Sequence, residues 1–327
     1  MSRTLRAQHD RFALTHPFRI ARGSKVAADV VTVTIEERGA AGRGEAVPYA
    51  RYGETIESAL AAIEEFRPLI EQGGSRADLA FVLPAGAARN ALDCALWDLE
   101  ARLSGHSVAA LIGHAQPPPV PTALTIVIDT PDAMAAAAAA IAEVPVLKVK
   151  VDANDPAAQI RAVRAAAPQA ELIVDPNESW DRSLVERMQA VLLEVKAALL
   201  EQPVPAGEDE WLEGFQPPIP ICADESVHVA ADLDIVARRY QAVNVKLDKA
   251  GGLTAALELA HAARARGLGL MTGCMVSSSL SIAPALHVAA LSDFVDLDGP
   301  AWLREDRTGG VTIAGGILRP PAAGFWG

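Results

Sequence analysis

Short apolar runs, each ending in a charged or small residue, recur through the second half of the chain. They read VLKVKV, ELIVD, AALLEQP, PICADES, AVNVKLD and LGLMTG, each rich in Val, Ile or Leu and followed by turn residues. Such runs suit parallel strands covered on both faces. Between them lie helix-like stretches, PAAQIRAVRAAA, SLVERMQAVLLEVK and TAALELAHAARARG, the last closed by Gly267 as a stop signal. The polar residues form a ladder of Lys148 and Lys150, Asp175, Glu201, Asp224, Lys246, then Asp296 and Asp298. From Lys150 to Lys246 its rungs lie 25, 26, 23 and 22 residues apart. One strand, one helix and two loops fill that period, so the ladder predicts a β/α repeat with a polar residue at the same end of each strand. In such barrels that end carries the chemistry.

The first third has a different pattern. Residues from about 5 to 45 alternate as extended segments, with VVTVTIEE turning at RGAAGRGE, which predicts an antiparallel sheet. YGETIESALAAIEEFRPLI and AARNALDCALWDLEARLSG then have helical apolar spacing, and Pro117, Pro118, Pro119 and Pro121 read as a linker. The alanine tract 135–140 reads as a capped helix, with Thr130 as N-cap, Pro131 at the first position and Asp132 in the first turn. The expected division is an α+β cap over 1–118 and a barrel over 119–302. GGVTIAGGILRPP, within about 303–327, is expected to return to the cap as a strand.

With 327 residues, a large barrel and a smaller companion both have room for a core. A formal charge of −12 argues against a nucleic-acid partner, because phosphate binding rests on clustered Lys and Arg. Cys94, Cys222 and Cys274 are an odd set without a CxxC pair, which argues against disulfides and zinc ribbons and for a reducing interior. The N-terminal MSRTLRAQHDRFALTHPF lacks the apolar stretch of a signal peptide, and no run reaches the ~18 apolar residues that cross a bilayer. A cytoplasmic protein with no membrane partner is expected; a homo-oligomer stays open.

Asp175, Glu201 and Asp224 fall on three consecutive predicted strands and can converge. Carboxylate oxygens with room for water suit Mg²⁺, with Mn²⁺ as substitute, over zinc. Any one of them alone would read as a solvated or capping acid. Lys148 and Lys150 share one strand face, and inside a barrel they need counter-charges, which the carboxylates and an anionic substrate supply. With TALTIVI as the first strand, Lys150 lies on the second and Lys246 on the sixth, opposite in a ring of eight. Two such amines could take a proton from one side of a carbon and return one on the other. That use asks for pKa values brought from ~10.4 towards 7 to 8. The cation would hold a substrate carboxylate and stabilise an enediolate.

These residues resemble the enolase superfamily, and within it the muconate-lactonizing subgroup. The resemblance rests on Lys148-x-Lys150, Asp175-Pro176-Asn177-Glu178, Glu201-Gln202-Pro203, Asp224-Glu225-Ser226 and NVKLDKAGG, with ARNALDCALWDLEARLSG in the cap. FRIARGSK, PYARYGET and DLDGP point further, to the dipeptide epimerases acting on L-Ala-D/L-Glu. Pro176 departs from the pattern, where Ala is expected. The resemblance implies a modified TIM barrel, (β/α)7β, with an α+β capping domain. It also implies Lys150 and Lys246 as the two bases with Lys148 beside them, and one Mg²⁺ on Asp175, Glu201 and Asp224. Asp296 and Asp298, at period-two spacing on the eighth strand, would hold the dipeptide's α-ammonium group. Arg22 would hold the side-chain carboxylate of the glutamate half. Cys274 and Met275 are expected to line the pocket, Cys274 as packing. Murein-peptide recycling is the implied setting.

Three readings compete. A dipeptide epimerase uses every residue named. Other reactions of the subgroup (N-acylamino acid racemization, o-succinylbenzoate synthesis, cycloisomerization) bring no ammonium group to Asp296 and Asp298. A non-catalytic peptide-binding relative is expected to have lost a lysine or a metal ligand, and none is missing.

Overall fold

A computed structural model describes residues 3–327. Strands β1 (Thr4–Ile20), β2 (Gly23–Glu37) and β3 (Ala40–Ala46) form an antiparallel sheet in that order, with an irregularity in the first pair between Ala13 and Phe18. The helix Ile56–Glu71 starts at Thr55, which forms a capping box with Ser58. The helix Ala87–Ser104 is buried nearly all round, because one side meets the sheet and the other meets the barrel. Gly42 and Gly44 allow the close contact with the sheet: a Cβ there would stand 2.2 Å from Ala95 O and 2.1 Å from Ala91 O.

After the short β4 (Val120–Pro121), eight parallel strands follow in sequence order around one sheet. They are β5 (Leu124–Ile126), β6 (Val146–Lys150), β7 (Glu171–Asp175), β8 (Ala197–Glu201), β9 (Ile221–Ala223), β10 (Ala242–Val245), β11 (Gly269–Gly273) and β12 (Phe294–Asp296). No ladder joins β12 to β5, yet Ala123 N donates to Val295 O at 2.8 Å, and Thr122 Oγ1 accepts from Leu297 N at 2.9 Å. The seam is therefore nearly closed. Helices alternate with the strands, including Pro131–Ala139 with Thr130 as N-cap and Leu253–Ala265, followed by Gly267 at φ 76°.

The C-terminal segment does not add a strand to the first sheet. Strands β13 (Thr312–Ala314) and β14 (Ile317–Arg319) form a hairpin whose partner is β4, so residues read as a linker are paired instead. The tail reaches the cap by an isolated backbone bridge between Leu14 and Leu303 and by side chains. Arg307 donates to Asp10, Thr32 and Glu45, and Trp326 donates its indole N–H to Arg43 O. No helix among the described residues is long and apolar enough to cross a membrane.

Candidate active site

From Lys150 to Asp296, each rung of the charged ladder ends a barrel strand or lies one residue past it. Asp175 and Glu201 close β7 and β8, while Asp224 and Lys246 follow β9 and β10. Lys148 and Lys150 point to the same interior face of β6, as period-two alternation requires. Strands β6 and β10 are four apart in a ring of eight, so Lys150 and Lys246 face each other. With Asp224, Asp296 and Asp298 they line a cavity of about 860 Å³. Gly273, closing β11, keeps space free: a Cβ there would meet Lys246 Cε at 2.9 Å.

The ammonium groups stand among the carboxylates. Lys148 Nζ lies 3.1 Å from Asp175, 2.7 Å from Glu201 and 2.7 Å from Asp296. Lys150 donates to Asp175 at 2.5 Å and Lys246 to Asp224 at 2.7 Å. Burial pushes Asp175 upward, but Lys150 and Lys148 outweigh it and hold the carboxyl at about 2. Glu201 is raised, by burial and by Asp175 beside it. Burial also works to discharge Lys246, yet Asp224 and Glu201 hold it well above its ordinary value. This is opposite to the shift expected of a base, and the reason is local: the carboxylates have no positive charge near them but the lysines. Among the described residues no three His, Cys, Asp or Glu side chains gather tightly enough to grip an ion. Their chemistry still fits a hard divalent cation. Asp175, Glu201 and Asp224 are 0 to 1 % exposed and all-oxygen, and Glu201 Oε2 meets only the Lys148 ammonium, in an ion pair at 2.7 Å. A cation among them would take over the neutralisation that the lysines now provide.

Asp296 closes β12, but Asp298 lies beyond it, at the start of a 3₁₀ turn, Gly299–Trp302. Strand pairing thus stops at Asp296, and Asp298 caps the turn that begins at Gly299, although both aspartates line the cavity. Asp298 Oδ2 accepts from Thr125 N at 2.8 Å and from the Trp302 indole at 3.1 Å, fastening the barrel seam. Burial and the neighbouring Asp296 push Asp298 up to about 6. Asp296 Oδ1 is buried without a partner, a place for a donor such as an ammonium group.

The β1–β2 hairpin tip leans over the opening and contributes Ile20, Arg22, Lys25 and Val26 to the lining. Arg22 donates to Asn177 O, to Glu178 at 2.9 Å and to Glu225 at 2.6 Å, so its guanidinium is already committed to the barrel. Lys25 stands over the Tyr49 ring at 5.0 Å with no carboxylate in an ion pair among the described residues. Cys274 and Met275 line the cavity, and burial pushes the Cys274 thiol well up, away from nucleophilic use.

Sequence reasoning passed over several residues. Lys249, part of NVKLDKAGG but given no role there, folds back from the one-turn helix Leu247–Ala250 onto Asp224 Oδ1 at 2.6 Å. Gln202 Oε1 accepts from the N–H groups of Asp224 and Ser226, at 2.8 and 3.1 Å, and so sets the β9 loop. Asn177, Glu178 and Gln202 all hold positive φ, at 48°, 67° and 30°, just past the carboxylates of β7 and β8. Such strain collects where side chains must be aimed.

Comparison with known proteins agrees with this geometry. Residues 2–113 match the mandelate racemase / muconate lactonizing enzyme N-terminal domain, and residues 132–325 the enolase C-terminal domain-like family. The L-Ala-D/L-Glu epimerase of Escherichia coli is 49 % identical over 93 % of this chain and 95 % of its own. An N-acetyl-D-glutamate racemase from Pseudoalteromonas is 44 % identical over 91 % and 95 %. An Agrobacterium tumefaciens enolase family member with bound sodium and L-Ala-L-Glu superposes with a TM-score of 0.97 at 47 % identity, covering 99 % of this chain and 100 % of that one. A Methylococcus capsulatus dipeptide epimerase complexed with Mg and L-Arg-D-Lys gives 0.90 at 35 %, covering 98 % of each. Fold, strand-end residues and similarity over both domains agree: the chain belongs to the mandelate racemase / muconate lactonizing enzyme family of the enolase superfamily.

Proposed function

We propose that this chain is a Mg²⁺-dependent dipeptide epimerase that acts on L-Ala-D/L-Glu by 1,1-proton transfer at the α-carbon of the C-terminal residue. The observation that carries the reading is one cavity holding Lys150 and Lys246 on opposite strands together with Asp296 and Asp298. One neutral lysine takes the α-proton from its side, and the other, charged, delivers a proton to the opposite side. In the reverse direction the two exchange roles. Asp175, Glu201 and Asp224 would hold the cation, which when bound supplies Lewis-acid stabilisation of the charge developing on the substrate carboxylate. Lys148, paired with Glu201 and Asp296, stays charged beside that carboxylate. Asp296 and Asp298 bind the α-ammonium group. Because Arg22 is engaged by Glu178 and Glu225, the glutamate side chain pairs with Lys25 instead, while Arg22 fixes the hairpin tip that excludes water.

We keep the domain division near residue 118, with the cap completed by 303–327. The tail contacts to Asp10, Glu45 and Arg43 support this. We also keep cytoplasmic murein-peptide recycling as the setting, supported by the similarity to the Escherichia coli epimerase.

The Pseudoalteromonas relative favours a second reading, racemization of an N-acylated glutamate. The two readings separate on one substrate pair. L-Ala-L-Glu and N-acetyl-L-Ala-L-Glu differ in the positive charge that Asp296 and Asp298 would meet, a loss of several kcal/mol when desolvated. The free dipeptide is expected to be epimerized with Mg²⁺ and the blocked one barely. Comparable kcat/KM for both, or turnover of N-acetylglutamate alone, would replace the dipeptide reading with the racemase.

A further inference from the structure

One face of the cap helix Ala87–Ser104 is fastened to the chain that leaves Lys246. Arg89 donates from Nη2 to Ala250 O at 2.6 Å and from Nε to Gly251 O at 3.1 Å. Asn90 Nδ2 donates to Asp248 Oδ1 at 2.9 Å, and the same oxygen accepts from Val47 N, also of the cap, at 2.9 Å. One helical turn further on, Asp93 accepts from Thr254 N at 3.0 Å and from Thr254 Oγ1 at 2.6 Å. Arg89, Asn90, Asp93 and Asp248 are all buried, so a group left unpaired here is costly. The fit is close: a Cβ on Gly251, which holds φ 84°, would stand 2.3 Å from Arg89 Nε.

The seam reaches Lys246 through Ala250. Lys246 precedes the one-turn helix Leu247–Ala250, and its carbonyl accepts from Lys249 N at 3.1 Å and from Ala250 N at 3.0 Å. The N–H of Ala250 thus holds the Lys246 backbone while its carbonyl is held by Arg89. The opposite lysine is built differently. Past Lys150, Val151 N donates to Asp175 O at 3.2 Å and the Trp180 indole to Asp152 O at 2.9 Å, both within the barrel. Strand β6 pairs only with β5 and β7, and among the described residues no cap group hydrogen-bonds residues 146–152.

We infer that Arg89 and Asn90 are positioning residues for Lys246: by gripping Ala250, Gly251 and Asp248 they fix the turn from which the lysine is aimed at the α-carbon. The Lys246 half of the reaction therefore depends on the cap helix, and the Lys150 half does not. This rests on the dipeptide-epimerase reading. The test is α-proton exchange in D₂O in saturating Mg²⁺, followed by NMR for L-Ala-L-Glu and L-Ala-D-Glu separately, with Lys150→Ala and Lys246→Ala identifying which epimer each lysine serves. In Arg89→Met, exchange of the Lys246 epimer should fall about tenfold in kcat with KM within about twofold, while the Lys150 epimer stays within about twofold of wild type. Arg89→Lys, which keeps a donor, should recover part of the loss. Asn90→Leu should give a smaller loss confined to the same epimer, and carries the test should Arg89→Met fold poorly. Equal losses for both epimers, a change in KM alone, or no loss in the folded variants would overturn the inference. Wild-type enzyme that exchanged neither epimer would instead bring down the dipeptide reading beneath it.

Discussion

Along the barrel strands, two residues separate a dry floor from a charged mouth. Ile173, Leu199, Cys222 and Met271 pack with Ala123 and Ala242 into a layer without water access; two positions later come Asp175, Glu201, Asp224 and Gly273. Both layers use the same inward face, because side chains repeat with period two. The floor stabilises by packing and takes no part in proton transfer. The mouth does the reverse, since burying so many charges is costly and their pairing only offsets that cost. The floor also excludes water from below, which strengthens each electrostatic interaction above it.

Substitutions should separate the layers. Lys150→Ala and Lys246→Ala are expected to lower epimerization by about 10² to 10⁴-fold, while thermal unfolding stays near that of wild type in saturating Mg²⁺, where the cation would neutralise the carboxylate each lysine leaves behind. In the floor, Leu199→Ala should cost about 2 to 5 kcal/mol in denaturant unfolding, yet leave kcat per folded molecule close to normal. A mouth lysine that mattered only to stability, or a floor leucine that mattered only to rate, would erase the contrast.

A third region lies behind the strands, at His287 on the helix between β11 and β12 and beside Trp326, where burial, with His114 nearby, pulls the imidazole down from 6.5 to about 4 and Nδ1 has no partner. Here a buried group has no counter-charge at all. Its native pKa lies below the unfolded one, so stability is fully present above pH 6.5 and is lost as pH falls towards 4, by about 3 kcal/mol. Melting curves across that window should show the loss, and His287→Leu should flatten it.

Smaller effects test the substrate contacts. As pH falls through about 6, Asp298 takes up a proton and stops attracting the ammonium group, so kcat/KM for the free dipeptide should drop there. Asp298→Asn should lower kcat/KM by about 1.5 to 3 kcal/mol at pH 8 and remove that part of the acid limb. Lys25→Ala, at the exposed hairpin tip, should lower kcat/KM for L-Ala-L-Glu by only about 0.2 to 1 kcal/mol relative to a dipeptide with an apolar second residue.

Much of this was legible because barrel strands are short and their ends regular. The apolar runs located β6 to β11, and the spacing of Asp175, Glu201, Asp224 and Lys246 marked one end of the ring. What failed to show depends on chain reversal. GGVTIAGGILRPP has a strand pattern whichever sheet it joins, and its pairing with Val120 and Pro121 is a long-range event. Asp298 follows strand period in the sequence, but β12 ends at Asp296 and Asp298 already caps the turn that follows. Lys249 owes its place to one helical turn immediately after β10, which brings it back to Asp224. Arg22 and Lys25 are similar in sequence and differ only in which has carboxylates waiting across the cavity, Glu178 and Glu225 for the first.

Whether the charged mouth works as two opposed bases around a cation is decided by α-proton exchange of L-Ala-L-Glu and L-Ala-D-Glu in D₂O with Mg²⁺. Wild type is expected to exchange and interconvert both. Lys150→Ala and Lys246→Ala should each interconvert neither, and each should retain exchange with a different single epimer. Exhaustive chelation should silence all three reversibly. Interconversion at wild-type rate in either lysine variant, or full activity in metal-free enzyme, would contradict it.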